Sequence, residues 1–432
     1  MSINNRCLVY APVRNNPTKR SVSVNTGSCG QYLDSVHHNL DELTETLVAW
    51  AEMNTGSLNI RGLGNFVGIL ENSFLGLSGQ IETILLQPQI RLRPEGRTSL
   101  TLGKAFSVRK KLDAPIRALL TIHYDTVYGV DHPFQKCRVI DHNTIVGPGV
   151  TDAKGGLLVL LKALELFEAS PWSDLLGWEV LITPDEEIGS TGSAPLLLDS
   201  AGRNHFALVF EPALPDGSLV LSRNGSSVYS ARLTGRSAHA GREPERGRNA
   251  IHAMAGFIMN MREQFENRPG ITLNVGEISG GGPVNIVPDL AYSRFNVRTH
   301  SEQDGRFVDE TLRRLSADLN GREGFKLELG VDYARSPKIL DRKSLVFFEH
   351  VANCGREIGV DIKSGHSGGA SDANIIAQAR IPVLDGLGVR GGGLHSPEEY
   401  IQLDSLVERI RLTALLLMKF ASGNIPFDRN IC

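Results

Sequence analysis

The chain has 432 residues, more than one hydrophobic core usually encloses, so its length predicts two domains. Its composition, 41% hydrophobic and 22% charged, is that of an ordinary soluble globular protein, and a formal net charge of −3 provides no basic field that would favour nucleic acid as a partner. The N-terminus lacks the apolar core of a signal peptide, no apolar run could span a membrane, and the five cysteines are scattered without CxxC spacing. We therefore expect a cytoplasmic protein without a disulfide framework and without membrane contact.

Residues 1–35 are rich in Asn, Ser and Arg, show no period, and predict an irregular N-terminal arm. From residue 36 the pattern is that of strands alternating with helices, which is typical of an α/β domain with a mostly parallel central sheet. Apolar residues recur at helical spacing from Leu40 and again over residues 154–167. Three short apolar runs predict buried strands: IRALLTI (116–122), WEVLIT (178–183) and HFALVF (205–210).

The pattern changes over residues 223–332, which we call the insert. Its strands and helices follow the order β-α-β-β-α-β, which predicts an antiparallel sheet with two helices on one face, a ferredoxin-like α+β unit. The α/β pattern then returns and ends in an apolar helix over about 403–420. The chain is therefore predicted to form a catalytic domain from residues 36–222 and 333–425, interrupted by the insert.

Each of the three predicted strands leads into residues that can bind a metal ion. In chain order these residues are His123 and Asp125, then Glu186 and Glu187, then Glu211. Asp152 precedes the helix at 154–167, and His395 follows a further apolar run. Because ligands of open α/β sheets bind outside the carboxyl ends of the strands, we expect these side chains to meet at one edge.

Any one of these residues alone is more simply explained as a helix cap or a solvated turn. Together, so many carboxylates at one edge would repel one another strongly unless cations neutralised them. Imidazole and carboxylate ligands suit a divalent transition metal ion, with zinc expected and cobalt or manganese as alternatives. Two such ions and a bridging hydroxide would balance the charges of Asp152, Glu187 and Glu211. Glu186 would then remain beside the hydroxide as a proton acceptor.

Seven motifs resemble, in order, those of the M20 family of dinuclear metallopeptidases: HYDTVYG, GPGVTDAKGGL, TPDEEIGS, EPALPDG, SAHAGREPERGRNAI, GGGPVNIVP and LHSPEE. The resemblance is closest to the branch of carboxypeptidase G2, succinyl-diaminopimelate desuccinylase and acetylornithine deacetylase, and it extends over residues 40 to about 425. It implies a catalytic α/β domain interrupted by a smaller lid or dimerisation domain, which agrees with the pattern of elements.

The resemblance also implies a ligand set. One metal would be held by His123 and Glu211, the other by Glu187 and His395, and Asp152 would bridge the two.

Two further roles near the metals are implied. Asp125 would hydrogen-bond the ligand histidine, and Glu186 would be the general base and then the proton donor to the leaving amine. Glu211 stands where aminopeptidase members typically carry Asp, which favours the carboxypeptidase and deacylase side of the family.

The insert is implied to supply substrate-binding groups. His239 would reach across a homodimer formed through the insert and donate to the oxyanion of the tetrahedral intermediate. Asn285 and Arg298 would contact substrate, with Arg298 clamping a substrate carboxylate and Arg335 as a second candidate for that role. Ser371 and Asp372, in the loop SGGASDAN (367–374), would lie near the site, although a plain flexible turn explains that loop equally well.

The sequence therefore predicts a metallohydrolase that cleaves an amide bond next to a free carboxylate by attack of the metal-bridging hydroxide. Its substrate would be an N-acyl amino acid or a short peptide with a C-terminal residue such as glutamate. Two alternatives remain. A dipeptidase or aminopeptidase would bind a substrate ammonium group and would need an acidic pocket in the insert in place of Arg298. A non-catalytic relative would keep the fold for binding, which is disfavoured because every ligand type and the base are present.

Overall fold

The computed structural model describes residues 29, 32, 33 and 40–426. Most of the predicted N-terminal arm therefore lies outside the described residues. Where the arm is described, at Cys29, Tyr32 and Leu33, the backbone is helical, and Cys29 and Leu33 pack into the main core. This short part is thus not irregular as predicted, because two apolar residues four apart share one helix face. No helix within the described ranges is both long and apolar enough to cross a membrane.

Ten strands and four helices precede the insert. The strands are β1 (Gln80–Leu85), β2 (Gln89–Arg93), β3 (Gly96–Leu100), β4 (Lys104–Lys110), β5 (Arg117–His123), β6 (Arg138–Val139), β7 (Thr144–Val146), β8 (Gly177–Thr183), β9 (Phe206–Val209) and β10 (Leu219–Arg223). The helices are α1 (Leu40–Ala51), α2 (Ile60–Phe74), α3 (Lys154–Glu168) and α4 (Ala194–Arg203). The three predicted strands correspond to β5, β8 and β9, with ends that differ by one residue.

The rest of the chain contributes the insert and the return to the α/β pattern. The insert contains β11 (Gly225–Thr234), α5 (Ala250–Glu266), β12 (Ile271–Gly280), β13 (Leu290–Thr299), α6 (Glu302–Asn320) and β14 (Lys326–Arg335). After it come α7 (Arg342–Glu357), β15 (Ser364–Ser367), α8 (Asp372–Ile376), β16 (Val383–Asp385), β17 (Gly391–Gly392), β18 (Tyr400–Gln402) and α9 (Asp404–Ala421). The final strand of the insert therefore runs three residues past the predicted boundary at 332.

One eight-stranded sheet forms the main body, in the order β1-β4-β8-β5-β9-β16-β10-β15. Strands β8, β5, β9 and β16 run parallel at its centre, whereas β1, β4 and β10 pair antiparallel with their neighbours towards the two edges. Helices α1, α2, α3 and α9 pack their apolar residues against this sheet in the largest hydrophobic cluster. The predicted α/β class with a mostly parallel sheet is confirmed.

The insert has a separate four-stranded antiparallel sheet, in the order β12-β13-β11-β14. Apolar residues of α5 and α6 cover one face of it and form a second hydrophobic cluster. Phe295 and Val297 lie in that cluster, while Arg294, Asn296 and Arg298 point to the other face, as the alternation of β13 predicts. The βαββαβ order and the ferredoxin-like arrangement are confirmed.

The β2-β3 hairpin was not predicted from the sequence. Strand β2, QIRLR, alternates too few apolar residues to stand out as a buried strand. The hairpin packs on the face of the insert sheet that the helices leave open, where Tyr292 donates a hydrogen bond to the carbonyl of Leu92 (3.1 Å). Gly330 permits this approach, because a Cβ there would lie 2.8 Å from the Cβ of Leu92. The main body and the insert therefore meet through contacts far apart in sequence.

Candidate functional site

The predicted metal-binding residues come together at the carboxyl edge of the central strands. His123 is the last residue of β5, and Glu187 lies in a 3₁₀ turn three residues beyond the end of β8. Glu211 follows β9 by two residues, and Asp152 immediately precedes the start of α3. His395 lies in the loop between β17 and β18. Parallel strands end at one edge of a sheet, which is why residues from such distant parts of the sequence share a site.

Asp152 lies between two pairs of side chains. Its Oδ1 is 3.0 Å from Nε2 of His123, which in turn is 3.8 Å from Oε1 of Glu211. Its Oδ2 is 3.4 Å from Nε2 of His395, which is 3.3 Å from Oε2 of Glu187. One carboxylate thus faces two imidazoles through its two oxygens, the arrangement expected of a ligand that bridges two cations. Ligand atoms of His123, Asp152 and Glu187 all lie within 4.8 Å of one another.

The protonation equilibria of the acidic residues reflect crowded, buried charge. Burial and then the charge of Asp152 raise the pKa of Glu187 to about 8. Burial raises the pKa of Glu211 well above its usual value, and His123 offsets only part of this effect. Asp152 differs, because the hydrogen bonds from His123 and His395 lower its pKa despite its burial. With no cation among them, these acids would compete for protons.

The two histidines respond to the same carboxylates. Burial alone would lower the pKa of His123, but Glu211, Asp125 and Asp152 raise it well above the usual value. Hydrogen bonds to Asp152 and Glu187 raise the pKa of His395 to about 11. Both imidazoles would therefore hold a proton where a neutral ligand is needed, so cation binding at this cluster would displace protons.

The donor set fits divalent cations. Carboxylate oxygens and imidazole Nε2 atoms are the ligands that zinc, cobalt and manganese accept. Oε1 of Glu211 is buried and has no hydrogen-bond partner among the described residues. A buried carboxylate oxygen without a partner costs free energy, which a bound cation would relieve. Each of the five predicted ligands presents at least one atom to this cluster.

Asp125 organises the cluster from behind. Its carboxylate accepts hydrogen bonds from the backbone N–H groups of Glu186 (3.1 Å) and Glu187 (3.2 Å) and from the hydroxyl of Ser57 (2.7 Å). Nδ1 of His123 is 3.0 Å from the backbone oxygen of Asp125 and 3.4 Å from its carboxylate. Asp125 therefore fixes the orientation of His123 and also holds the turn that carries the two glutamates. The contribution of Ser57 was not predicted from the sequence.

Glu399 is a second organising carboxylate that the sequence analysis did not single out. It accepts hydrogen bonds from the backbone N–H groups of Gly149 (3.0 Å), Thr151 (2.9 Å) and Asp152 (3.0 Å), and from the hydroxyl of Tyr128 (2.9 Å). It thereby fixes the loop that presents Asp152. The only available signal was its place as the last acid of LHSPEE, four residues after His395.

Glu186, the predicted general base, is paired with an arginine. Its Oε1 lies 2.7 Å from Nη1 of Arg335, and both side chains are buried. Burial raises the pKa of Glu186, while the charges of Arg335 and His123 oppose that rise. Arg335 was predicted as a second clamp for a substrate carboxylate. The structure instead places its guanidinium on Glu186 and near Asp372, 3.4 Å away, because Arg335 ends β14 directly beside the glutamate turn.

A cavity of about 450 Å³ opens in front of these residues. Its walls include Asp152, Glu186, Glu187, Glu211 and His395 on one side, and Arg223, Arg298 and Arg335 on the other. Arg298 is half-buried and donates a hydrogen bond to the carbonyl of Gly368 (2.7 Å). Within the described ranges it has no carboxylate partner, whereas Arg223 is paired with Asp385 (2.5 Å).

His239 and Asn285 are not brought to this cavity. They lie together on the exposed surface of the insert, where the backbone of His239 pairs with Ile286 and the N–H of Ala240 donates to the carbonyl of Asn285 (2.9 Å). The ring Nδ1 of His239 accepts hydrogen bonds from the N–H groups of Gly241 and Arg242, at 3.1 Å each. Neither residue lines the cavity of its own chain.

Comparisons with known proteins agree with this architecture. The model of the Peptidase family M20/M25/M40 matches residues 119–419. Carboxypeptidase G2 of Pseudomonas sp. (strain RS-16) is 29% identical over 323 residues, which cover 71% of this chain and 74% of that protein. Succinyl-diaminopimelate desuccinylase of Nitrosospira multiformis is 26% identical over 302 residues, covering 65% of this chain and 77% of that protein.

A solved structure shares the fold. The Bacillus subtilis YXEP protein, described as a dinuclear metal binding peptidase from the M20 family, aligns with a TM-score of 0.60 and 14% identity, covering 90% of this chain and 99% of that one. At this identity the likeness shows the fold, and the family assignment rests on the sequence match over residues 119–419. That match spans more than half of the chain and includes all of the predicted metal ligands. The chain is therefore an enzyme that belongs to the peptidase family M20/M25/M40.

Proposed function

We propose that this enzyme hydrolyses an amide bond adjacent to a free carboxylate, as a glutamate-type carboxypeptidase or an N-acyl amino acid deacylase. One observation carries the proposal. The cluster of carboxylates and imidazoles shares a cavity with Arg298, which has no carboxylate partner in the described part of the chain. The first would act on the scissile carbonyl and the second would bind the neighbouring carboxylate.

The proposed cofactor is a pair of divalent cations, with zinc expected. His123 and Glu211 would hold one, Glu187 and His395 the other, and Asp152 both; the separate contacts of its two oxygens support that division. Bound there, the cations would polarise the scissile carbonyl and lower the pKa of a water molecule. Asp125 and Glu399 would keep the ligands oriented through the hydrogen bonds that hold His123 and the Asp152 loop.

Glu186 is proposed as the proton carrier. It lines the cavity beside Glu187 and Glu211, yet it is the acid of this edge whose nearest charged partner is an arginine and not a histidine. It would accept a proton from the attacking water and later deliver it to the leaving amine, which needs a carboxylate within hydrogen-bond reach of both atoms.

Arg298 is proposed to bind the substrate carboxylate, for which its planar guanidinium can make two parallel hydrogen bonds. The same observation disfavours a dipeptidase or aminopeptidase, because a substrate ammonium group needs an acidic partner. The insert residues that line the cavity are Ser226, Arg298, Tyr333 and Arg335, and none of them is acidic.

We further propose a homodimer through the insert, which would act as the lid of the catalytic domain. Strand β12 is an edge strand, and its residue Ile278 is 59% exposed. Val284, in the loop next to Asn285, is 99% exposed. Exposed apolar residues beside an unpaired strand edge are typical of an association surface. His239 and Asn285 would then reach the cavity of the partner subunit and donate to the oxyanion. The scattered cysteines support a cytoplasmic location.

A substrate panel tests the proposal. Purified protein reconstituted with zinc would be assayed with N-acetyl amino acids, an amino-blocked dipeptide ending in glutamate, a dipeptide with a free amine, and carboxamide analogues of the first two. We expect hydrolysis of the first two and at least about tenfold lower kcat/KM for the analogues, which lose a hydrogen-bonded charge partner. Preference for the free-amine dipeptide, or indifference to amidation, would refute it.

A further inference from the structure

The turn that carries Glu186 is fastened to the last strand of the insert. Gly189 has a φ of 105°, and a Cβ at this position would lie 2.2 Å from the ring of Tyr333 on β14. Only glycine therefore allows the turn to pack this closely against β14. Nη2 of Arg335, two residues further along β14, donates to the carbonyl of Glu186 (2.9 Å) and to the hydroxyl of Ser190 (2.6 Å).

Arg335 also bridges two buried carboxylates. Nη1 lies 2.7 Å from Oε1 of Glu186, and Nη2 lies 3.4 Å from Oδ1 of Asp372. Asp372 is itself fixed, because it accepts hydrogen bonds from Thr183 (3.0 Å) and Ser190. The exposed fraction of each of the three charged side chains is below a tenth. Swinging the guanidinium into the cavity would leave both carboxylates buried without their cation, which is a costly arrangement.

The two arginines at the cavity therefore differ in what they can do. Arg298 is half-buried, and its described hydrogen-bond partner is a backbone carbonyl. Arg335 is buried and is committed to Glu186, Ser190 and Asp372. We propose that Arg335 is a positioning residue, which holds the carboxylate of Glu186 in place for proton transfer and does not bind the substrate carboxylate. This inference rests on the proposed role of Glu186 as the base.

Steady-state kinetics of Arg335 variants separate these two roles. Because misplacing a reacting group by about 1 Å can cost about 100-fold in rate, R335M is expected to lower kcat about 100-fold. KM for the free-carboxylate substrate should stay within about twofold, since that carboxylate is bound elsewhere. R335K keeps the charge with poorer geometry and should recover part of kcat, again with KM unchanged. If R335M fails to fold, R335K still decides, with an intermediate loss of kcat.

R298M is the matched control, because it removes the other guanidinium of the same cavity. It should raise KM for the carboxylate substrate and affect the carboxamide analogue much less. If R335K or R335M behaves in this way instead, Arg335 is a clamp and the positioning proposal is wrong. Unchanged kcat and KM in both Arg335 variants would also overturn it.

Two further readouts test the connection to Glu186 directly. In an E186A background, R335K should cause no additional loss, because the group that it positions is gone; a further loss of the same size as in the wild-type background would contradict the proposal. In a crystal structure with zinc and the product amino acid, Arg335 should remain on Glu186 and Asp372. A contact between Arg335 and the product carboxylate would overturn the proposal.

Failure of the proposed function would give a different result. In that case the wild-type enzyme would not hydrolyse the carboxylate substrates, or E186A would retain wild-type turnover. The positioning proposal fails separately, when the wild-type and E186A enzymes behave as expected and the Arg335 variants do not.

Discussion

The edge of the eight-stranded sheet and the outer surface of the insert both carry residues that the sequence marks as functional, yet they differ in how those residues are held. At the sheet edge, His123 and Asp152 are buried and contact each other at 3.0 Å. On the insert, His239 and Asn285 are exposed, bonded only to their neighbours in the chain, and outside the cavity. One chain thus assembles the candidate metal cluster alone, whereas the insert surface requires a second copy to take part. Each prediction below tests one side of this difference.

The largest effect is expected at the sheet edge, from E186A. Loss of a general base should lower kcat by about 100- to 10,000-fold, while the zinc content stays near normal because Glu186 is not among the proposed ligands. Turnover and elemental analysis of the same preparation would check both statements. Glu310, exposed on α6, provides the control E310A with wild-type turnover. Wild-type turnover in E186A would remove the assignment of the base.

The insert surface should give the next largest effect, through H239A. Removing one donor to the oxyanion should lower kcat by about 100- to 1,000-fold. If His239 serves the partner subunit, a heterodimer of E186A and H239A chains contains one complete site and should recover about half of the wild-type activity. Two differently tagged chains, co-expressed and purified through both tags, allow this measurement. A heterodimer as inactive as its parents would mean that His239 acts within its own chain or not at all.

Arg298 lies between the two regions and should show a smaller effect on binding. R298A removes a charged hydrogen-bond donor worth about 1.5–3 kcal/mol, so KM for a carboxylate substrate should rise about 10- to 100-fold. R313A, at an exposed position on α6, is the control and should leave KM unchanged. An unchanged KM in R298A would count against the clamp.

The smallest effect concerns the stability of the sheet edge as a function of pH. The folded pKa of Glu187 is raised from 4.5 to about 8, so its contribution to stability is complete below pH 4.5 and is lost as the pH rises to about 8. The pKa of His395 is raised from 6.5 to about 11, so its contribution also declines as the pH rises above 6.5. Both changes have the same sign.

Tm of the metal-free protein, measured in EDTA, should therefore fall by a few degrees between pH 5 and pH 8. Zinc displaces the protons that these groups hold, so the Tm increase caused by zinc should grow over the same range. A zinc effect that is absent, or equally large at both pH values, would contradict the account of the charged cluster.

The sequence revealed the sheet edge better than its supports. Apolar strands that end in His123, Glu187 or Glu211 can be recognised locally, and the topology of parallel strands then brings their ends together. Glu399 could not be found in this way, because its partner Asp152 is 247 residues away and nothing local indicates the contact. Arg335 was recognised as a site residue with a different role, since its pairing with Glu186 depends on how β14 meets the main body. Long-range contacts of this kind require the folded structure.

The central claim is that two cations hold the carboxylates and imidazoles of the sheet edge together. Elemental analysis after equilibrium dialysis against micromolar zinc tests it most directly, with the wild-type chain compared to D152A. The account predicts about two zinc ions per wild-type chain and a loss of both high-affinity sites in D152A, since Asp152 faces both pairs of ligands. A wild-type chain that binds no zinc, or a D152A chain that still binds two, would contradict it.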